Sequence, residues 1–138
     1  MTSLENNAQF RRLLGVSGAG DQATFMDRMA PDFVAHLAGA PQTRAGLVRH
    51  NNTIGPAFGD GQSTLKGQTA EGDKVGARPT RRASCSGTLR GLAPTGKRIA
   101  IRAVMTDRLK DGKTVEHRSL FDLMSMMKLL GVNPPLAD

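Results

Sequence analysis

The chain has 138 residues, of which 38% are hydrophobic and 22% charged, and its formal net charge is +7 at pH 7. These values are typical of a globular protein, and we expect a single domain over residues 1–138. No apolar run approaches the roughly 20 residues that a membrane-spanning helix requires, and residues 1–14 lack the basic-then-apolar pattern of a secretion signal. Cys85 is the one cysteine, which excludes an intrachain disulfide. We therefore expect a cytoplasmic protein with no membrane partner.

The basic residues are spread along the chain. Their densest group, Arg78, Arg81 and Arg82, falls in a predicted strand, where successive side chains alternate between faces and form no single patch. The chain has five phenylalanines and no tryptophan or tyrosine. Few aromatic side chains are therefore available to stack on the bases of a single-stranded nucleic acid. We expect no nucleic-acid partner and interpret the charge as a solvated surface, or as one that guides anionic substrates.

The first part of the chain is predicted to be mainly helical. Apolar residues at helical spacing predict a helix over residues 4–14. Asp21 is placed to cap a second helix that runs to residue 29 or 30, and Thr43 a third over residues 44–52. Residues 33–37, between these helices, predict a short strand.

The remaining chain is predicted to consist of strands. Two strands are expected over residues 63–70 and 75–87, joined by a turn at Gly72-Asp73. Pro79 has no backbone donor, so it should lie at a sheet edge or at a bulge. Helices followed by strands favour an α+β architecture. We expect a strongly curved antiparallel sheet, closed by the N-terminal helices into a cone-shaped barrel around a pocket.

A hairpin is predicted where Asp111-Gly112, which favours positive φ, separates two runs of alternating character. Period-two spacing gives the first run one apolar face, formed by Ile99, Ile101, Ala103, Met105 and Leu109. The second run has two mixed faces: Val115, His117, Ser119 and Phe121 on one, and Glu116, Arg118, Leu120 and Asp122 on the other. Such a strand often lines a cavity or an interface. Residues 123–130 then predict a short terminal helix or turn.

Several segments occur in a recognisable order: FVAHL (33–37), EGDKV (71–75), PTGK (94–97), DGKTVEH (111–117), Asp122 and Leu130-Gly131. Together they resemble the SnoaL-like polyketide cyclases and related ester cyclases, which are α+β cones of the nuclear-transport-factor-like superfamily. The resemblance implies a homo-oligomer, a dimer or a tetramer, with an apolar internal pocket and neither a metal nor an organic cofactor. It also implies a cyclase or isomerase of lyase type. Such an enzyme closes a ring in a small, hydrophobic, carbonyl-bearing, polyketide-like substrate by intramolecular aldol condensation.

The resemblance also implies site residues. Members of the family use a carboxylate on the last long strand as acid/base, and the matching position is Asp122. We expect desolvation in an apolar pocket to raise the pKa of this carboxyl and make it a usable base. Arg118, on the same face, would stabilise an anionic group unless it pairs with Asp122 and lowers that pKa, and His36 is a further catalytic candidate. The expected substrate-binding residues are Phe33, His50, Asn51, Cys85, Met105, Leu120 and Met124.

The chain departs from the family pattern, and other interpretations stay open. Cys85-Ser86-Gly87 stands where members often carry His-x-Gly, and Arg118 where they often carry tryptophan. Asp122 would be a surface carboxylate that caps the next turn if it has no catalytic role, and His117 is expected at an interface or the surface. Three histidines and one cysteine without tight ligand spacing predict no metal site.

Two other functions compete with cyclisation. An epoxide hydrolase of the same cone needs an Asp-Arg-Asp arrangement with asparagine and tyrosine. Asp122, Arg102 and Asn52 are available for it, but the sequence contains no tyrosine. The second alternative is a non-catalytic small-molecule-binding or dimerisation module, because one fold supports many uses of its pocket.

Overall fold

Helices precede most of the strands in this chain, as the sequence predicts. The structure, a computed structural model, describes residues 2–19, 21–37, 41–88 and 93–131. The helices are α1 (Ser3–Ala19), α2 (Gln22–Asp27), α3 (Arg44–Ile54) and α4 (Leu123–Leu129), and Gly55–Phe58 form a 3-10 turn. The strands are β1 (Met29–His36), β2 (Gln42–Thr43), β3 (Gln62–Glu71), β4 (Lys74–Ser84), β5 (Arg98–Lys110) and β6 (Lys113–Phe121). The α+β fold class is confirmed.

The strands form one curved sheet of six, in the order β2-β1-β6-β5-β4-β3. Neighbouring strands are antiparallel except for β1 and β6, which run parallel. The exception arises because β1 comes from the helical part of the chain and is not linked to β6 by a hairpin. Its position beside β6 brings the helices that flank it to the face of the final hairpin.

The predicted helix caps are confirmed. Asp21 Oδ1 accepts a hydrogen bond from Thr24 N (3.2 Å), and Thr43 Oγ1 accepts one from Gly46 N (3.1 Å). α1 is longer than predicted, whereas α2 ends early because Met29 already belongs to β1. In the part of the chain that the structure describes, no helix has the length and apolarity needed to cross a membrane.

The hairpin between β5 and β6 has the predicted two-residue turn, with φ of 52° at Asp111 and 78° at Gly112. Its register is irregular. The Cα partners near the turn are Leu109 with Thr114, Arg108 with Glu116, and Asp107 with His117. Val115 is therefore the extra residue of a β-bulge, which moves every later pair by one position. Pro79 lies at another register shift, between β3 and β4, which confirms its prediction at a bulge.

One face of the sheet is covered by helices, and we call it the inner face. Its buried residues include Phe33, Ala35, Val75, Ala77, Ile99, Ile101, Asp107 and Leu109. Phe10 of α1 packs with Val75 and Leu109, and Phe25 of α2 packs with Phe33. Burying each such apolar side chain contributes about 1.5–3 kcal/mol. The opposite, outer face carries exposed residues of β5 such as Arg102 and Val104.

Candidate active site

An acidic and a basic side chain meet on the inner face. Asp107 on β5 and His117 on β6 are direct cross-strand partners, so their side chains leave the sheet on the same side. Asp107 Oδ1 lies 2.5 Å from His117 Nδ1. The Asp107 side chain is 1% exposed and the His117 side chain 15% exposed. The pair is therefore shielded from solvent, and the imidazole remains its more accessible member.

The contact determines the tautomer of a neutral His117 when Asp107 is ionised. An ionised carboxylate only accepts hydrogen bonds, so His117 Nδ1 donates to Asp107. Nε2 of a neutral His117 is then a lone-pair acceptor, which is the atom a general base uses. Oδ2 of Asp107 is buried and finds no hydrogen-bond partner within the described residues. The arrangement can therefore take up a proton at Nε2 and stabilise the resulting imidazolium.

The structure reverses the sequence-based assignment of the two faces of β6. We predicted Asp122 inside and His117 at the surface or an interface, but His117 faces the inner side and Asp122 follows the end of β6. Asp107 is the residue that sequence reasoning missed. The sequence did indicate it, because Asp107 lies in the apolar period-two series between Met105 and Leu109. A carboxylate on the buried face of a strand requires a polar partner.

Asp122 is exposed and acts as the N-cap of α4. Its Oδ1 accepts a hydrogen bond from Ser125 N (3.1 Å), and its Oδ2 accepts one from Ser125 Oγ (2.6 Å). These bonds from Ser125, together with the smaller electrostatic effect of Arg102 and Lys128, lower the pKa of the Asp122 carboxyl. The expectation that desolvation raises this pKa is therefore wrong, because the carboxylate is solvated and hydrogen-bonded.

The surroundings of Asp122 are polar rather than apolar. It borders an open cleft of about 280 Å³ whose other lining residues are Ala100, Arg102, Ser125, Lys128 and Leu129. Ala100 and Arg102 are exposed on the outer face of β5, so this cleft lies on the opposite side of the sheet from His117. Arg102 and Lys128 both favour the ionised form of Asp122. The geometry suits a helix cap, which was the alternative interpretation of this residue.

We expect the Asp122→Ala substitution to lower the thermal unfolding midpoint at neutral pH, because it removes the cap of α4. Asp122→Asn should preserve most of the midpoint, since asparagine caps helices as well as aspartate does. Folding lowers the pKa of Asp122, so its contribution is present above the unfolded-state pKa and disappears as the pH falls through the folded-state value. Thermal melts of the three proteins at neutral and strongly acidic pH test this. An equal effect of alanine at both pH values would contradict it.

Arg118 and His36 lie on the outer face with Glu116. Arg118 Nη2 is 3.2 Å from Glu116 Oε1, and His36 Nε2 is 3.6 Å from Glu116 Oε2. The Arg118 and His36 side chains are 54% and 35% exposed. Among the described ion pairs, the carboxylate partner of Arg118 is Glu116 and not Asp122. The predicted catalytic set is therefore not brought together with the inner-face pair.

The predicted substrate-binding residues are divided between the two sides of the sheet. Phe33 is buried on the inner face, and Met105 is half-buried there. Leu120 and Met124 are 76% and 48% exposed, so they do not line the interior. His50 and Asn51 are both half-buried on α3.

Cys85 is buried in the apolar cluster of Ile99 and Ile101, and its thiol is free. Its Sγ lies 3.8 Å from the carbonyl oxygen of Gly87. It therefore packs as a small hydrophobic residue. Within residues 2–131, as far as they are described, no group of three or more His, Cys, Asp or Glu side chains is arranged to hold a metal ion.

Solved structures of the same fold are numerous. Two of those that are more than 25% identical to this chain in sequence are AclR and IdmH. AclR, a proposed hydroxylase from Streptomyces galilaeus, is 27% identical with a TM-score of 0.89, over 99% of this chain and 91% of AclR. IdmH, a proposed polyketide cyclase from Streptomyces antibioticus, is 28% identical with a TM-score of 0.84, over 92% of this chain and 99% of IdmH.

A third structure supports the fold alone. It is a proposed SnoaL-like polyketide cyclase from Jannaschia sp. CCS1, 22% identical with a TM-score of 0.83, over 96% of this chain and 95% of the other. A comparison with curated protein sequences finds no match. The model of the family described as SnoaL-like polyketide cyclase matches residues 9–130. This chain therefore belongs to the SnoaL-like polyketide cyclase family.

Proposed function

We propose that this protein is a cofactor-independent cyclase or isomerase that acts on a small, polyketide-like carbonyl compound, with His117 as its acid/base and Asp107 as the partner of that histidine. The observation that carries the proposal is the shielded Asp107–His117 contact on the inner face of a SnoaL-like fold. The similarity to IdmH supports the cyclase class. The buried, free thiol of Cys85 is compatible with the cytoplasmic location that we expect.

The chemistry begins at Nε2 of His117. This atom removes a proton from the carbon next to a substrate carbonyl, and Asp107 stabilises the imidazolium that forms. The carbanion attacks a second carbonyl carbon of the same molecule, so one carbon–carbon bond forms and the attacked oxygen becomes an alkoxide. The imidazolium returns its proton to that alkoxide. The product is an isomer of the substrate, and no oxidant or reductant is consumed.

The apolar neighbours of the pair favour this reaction. Ala35 of β1 pairs with His117 and is fully buried, and Val75 of β4 pairs with Asp107 and is fully buried. Shielding from water strengthens the interaction between carboxylate and imidazolium. It also suits a substrate that is mainly hydrophobic.

The role that the family resemblance implies for Asp122, and the catalytic roles considered for Arg118 and His36, remain a competing proposal about the site. Under our proposal Asp122 stabilises α4, and Glu116 holds Arg118 and His36 on the outer face. Asp122→Asn separates the two, because it keeps the helix cap and removes the carboxylate base. Loss of turnover in this variant with an unchanged melting midpoint would favour Asp122 over His117.

The proposed activity can be tested in deuterium oxide with 1-arylhexane-1,5-diones, in which the methyl carbon can attack the aryl ketone and close a six-membered ring. We expect deuterium uptake next to the carbonyl and a cyclic product whose atoms, apart from exchanged hydrogen, are those of the substrate. A product heavier by one oxygen would instead indicate hydroxylation, the activity proposed for AclR. Incorporation of ¹⁸O from labelled water during turnover of styrene oxide would indicate epoxide hydrolysis. Binding of the diketones with neither exchange nor turnover would support the binding-module alternative.

We also propose that the protein forms a homo-oligomer through its outer face. Val104 and Leu120 are direct cross-strand partners there, and they are 57% and 76% exposed. Two large apolar residues side by side in water are unfavourable, and a second copy with the same patch would cover them around a two-fold axis. Met124 of α4 is a further exposed apolar residue, with 48% of its surface exposed.

Leu120→Arg is expected to convert the oligomer into monomers, because it places a charge in the proposed interface. Leu4→Arg is the matched control, since Leu4 is similarly exposed (79%) but lies on α1. Light scattering coupled to size-exclusion chromatography measures both masses. A monomeric parent protein, or a mass unchanged by Leu120→Arg, would refute the outer-face interface.

A further inference from the structure

Gln9, which is buried, and Arg28, which is half-buried, each hold a buried donor atom that no part of the described chain satisfies. Arg28, at the end of α2, donates a hydrogen bond from Nη1 to Oε1 of Gln9 on α1 (2.7 Å). Gln9 is 4% exposed. Nε2 of Gln9 and Nε of Arg28 are both buried, and neither has a hydrogen-bond partner among the described residues. Leaving buried donors unpaired is costly, so a small acceptor is expected beside them.

The direction of the Gln9 amide is fixed by its contact. Arg28 has no acceptor atom, so the Gln9 atom that faces Arg28 Nη1 must be the carbonyl oxygen. The amide nitrogen then points away from Arg28 and keeps its protons for another group. The site therefore offers the N–H groups of the Gln9 amide beside the permanent positive charge of Arg28.

These donors lie at the same end of the inner face as the Asp107–His117 pair. The carbonyl oxygen of Arg28 accepts a hydrogen bond from Thr114 N (3.0 Å), which ties Arg28 to β6 three positions before His117. Three residues along a strand span roughly 10 Å. On the α1 side, Phe10 follows Gln9 and packs with Val75, the cross-strand partner of Asp107.

We propose that Gln9, held in place by Arg28, binds a carbonyl oxygen of the substrate and so orients it toward His117. This inference rests on the proposed function, since it supplies the electrophilic group that the acid/base chemistry needs. A carbonyl or enolate oxygen can accept a hydrogen bond from Nε2 of Gln9, which is buried and has no other partner among the described residues. The nearby positive charge of Arg28 stabilises negative charge that develops on that oxygen.

The chemistry of the donors selects among ligands. A hydrocarbon leaves the Gln9 amide N–H unpaired, whereas a ketone accepts from it, so the site should prefer ketones over hydrocarbons of the same shape. The matched probes are 2-acetonaphthone and 2-ethylnaphthalene, which differ by the replacement of a carbonyl with a methylene group. We expect the protein to bind the ketone about tenfold more tightly. A buried water that occupies the donors permanently would instead give both probes equal affinity.

Three variants separate the binding role from a structural one. Gln9→Glu keeps an oxygen for Arg28 but turns the free donor into an acceptor, and Gln9→Met removes both polar atoms. Gln68→Met is the matched control, because Gln68 donates to Asn7 O and accepts from Arg11 Nε, so that its amide is occupied on both sides. We expect the first two to abolish the preference for the ketone and the control to retain it.

Titration calorimetry with each probe measures the preference, and the ¹³C shift of carbonyl-labelled 2-acetonaphthone reports the hydrogen bonds directly. The bound carbonyl should resonate downfield in the parent protein and in Gln68→Met, and lose that shift in Gln9→Glu. Failure of the parent protein to bind the ketone, equal affinity for both probes, or an unchanged preference in Gln9→Glu would each overturn the inference. A ketone preference that follows the prediction, together with full turnover in a His117 variant, would leave the carbonyl site standing and refute the proposed acid/base.

Discussion

Replacement of His117 with glutamine is expected to lower turnover by about 100- to 10,000-fold, the range typical of a lost general base. Glutamine is chosen because its amide nitrogen can still donate to Asp107, which would otherwise be left buried without a partner. The amide has no basic nitrogen at the position of Nε2, so proton removal stops while the hydrogen bond survives. Steady-state kinetics with the cyclising diketone, together with a thermal melt, measure both effects.

His36→Gln is the natural comparison for this experiment. His36 is also a histidine paired with a carboxylate, Glu116, but it lies on the outer face and is more exposed. We expect little change in turnover from it. Strong loss of activity in His36→Gln with normal turnover in His117→Gln would reject the inner-face site and restore the assignment made from the family resemblance.

Asp107→Asn is the second change with a large expected effect, a loss of turnover on the order of 100-fold or more. An ionised carboxylate accepts only from Nδ1–H, whereas asparagine can also donate to Nδ1 and so permit the opposite tautomer of His117. In that tautomer Nε2 already carries a proton and is no longer a base. Binding of 2-acetonaphthone should persist, because Gln9 and Arg28 are unchanged.

Nitrogen-15 spectra of the imidazole provide a readout that a merely structural role would not alter. We expect the Nδ1–H tautomer of His117 in the parent protein and a mixture of tautomers in Asp107→Asn. The double variant with His117→Gln should be no slower than His117→Gln alone, since the two residues act as one unit. Additive losses, or an unchanged tautomer, would show that Asp107 does not act through His117.

Local signals in the sequence were sufficient for most of the fold. Asp111-Gly112 predicted the turn between β5 and β6. Asp21 and Thr43 predicted the starts of α2 and α3, because their side-chain oxygens accept hydrogen bonds from the first turn of each helix. Alternation in β5 separated the buried face from the exposed one. These features depend on neighbours within a few positions, which a sequence displays directly.

The site was harder to predict, because it depends on one inserted residue. A regular two-residue hairpin would pair Asp107 with Glu116, which are two carboxylates of like charge. The bulge at Val115 moves the register by one and pairs Asp107 with His117 instead. Nothing in the alternation of β6 marks that bulge, so the pairing follows from the three-dimensional structure alone.

The position of Asp122 shows a second limit. Its resemblance-based role required the strand to continue to residue 122 with that face turned inward. β6 ends at Phe121, and the following backbone turns into α4, where a carboxylate at the N-cap finds Ser125. Whether Asp122 faces a pocket or caps a helix therefore depends on where β6 ends. The ends of secondary-structure elements are the boundaries that are hardest to predict from a sequence.

The parallel pairing of β1 with β6 has a consequence for how the protein is made. Met29 meets Thr114, a residue that leaves the ribosome only after most of the chain has been synthesised. The hairpins β3–β4 and β5–β6 join residues that are close in sequence and can form early. The pairing between β1 and β6 joins residues that are far apart in sequence and forms later. Until β1 and β6 pair, each leaves a strand edge with unpaired backbone groups, and the nascent protein is most vulnerable to aggregation.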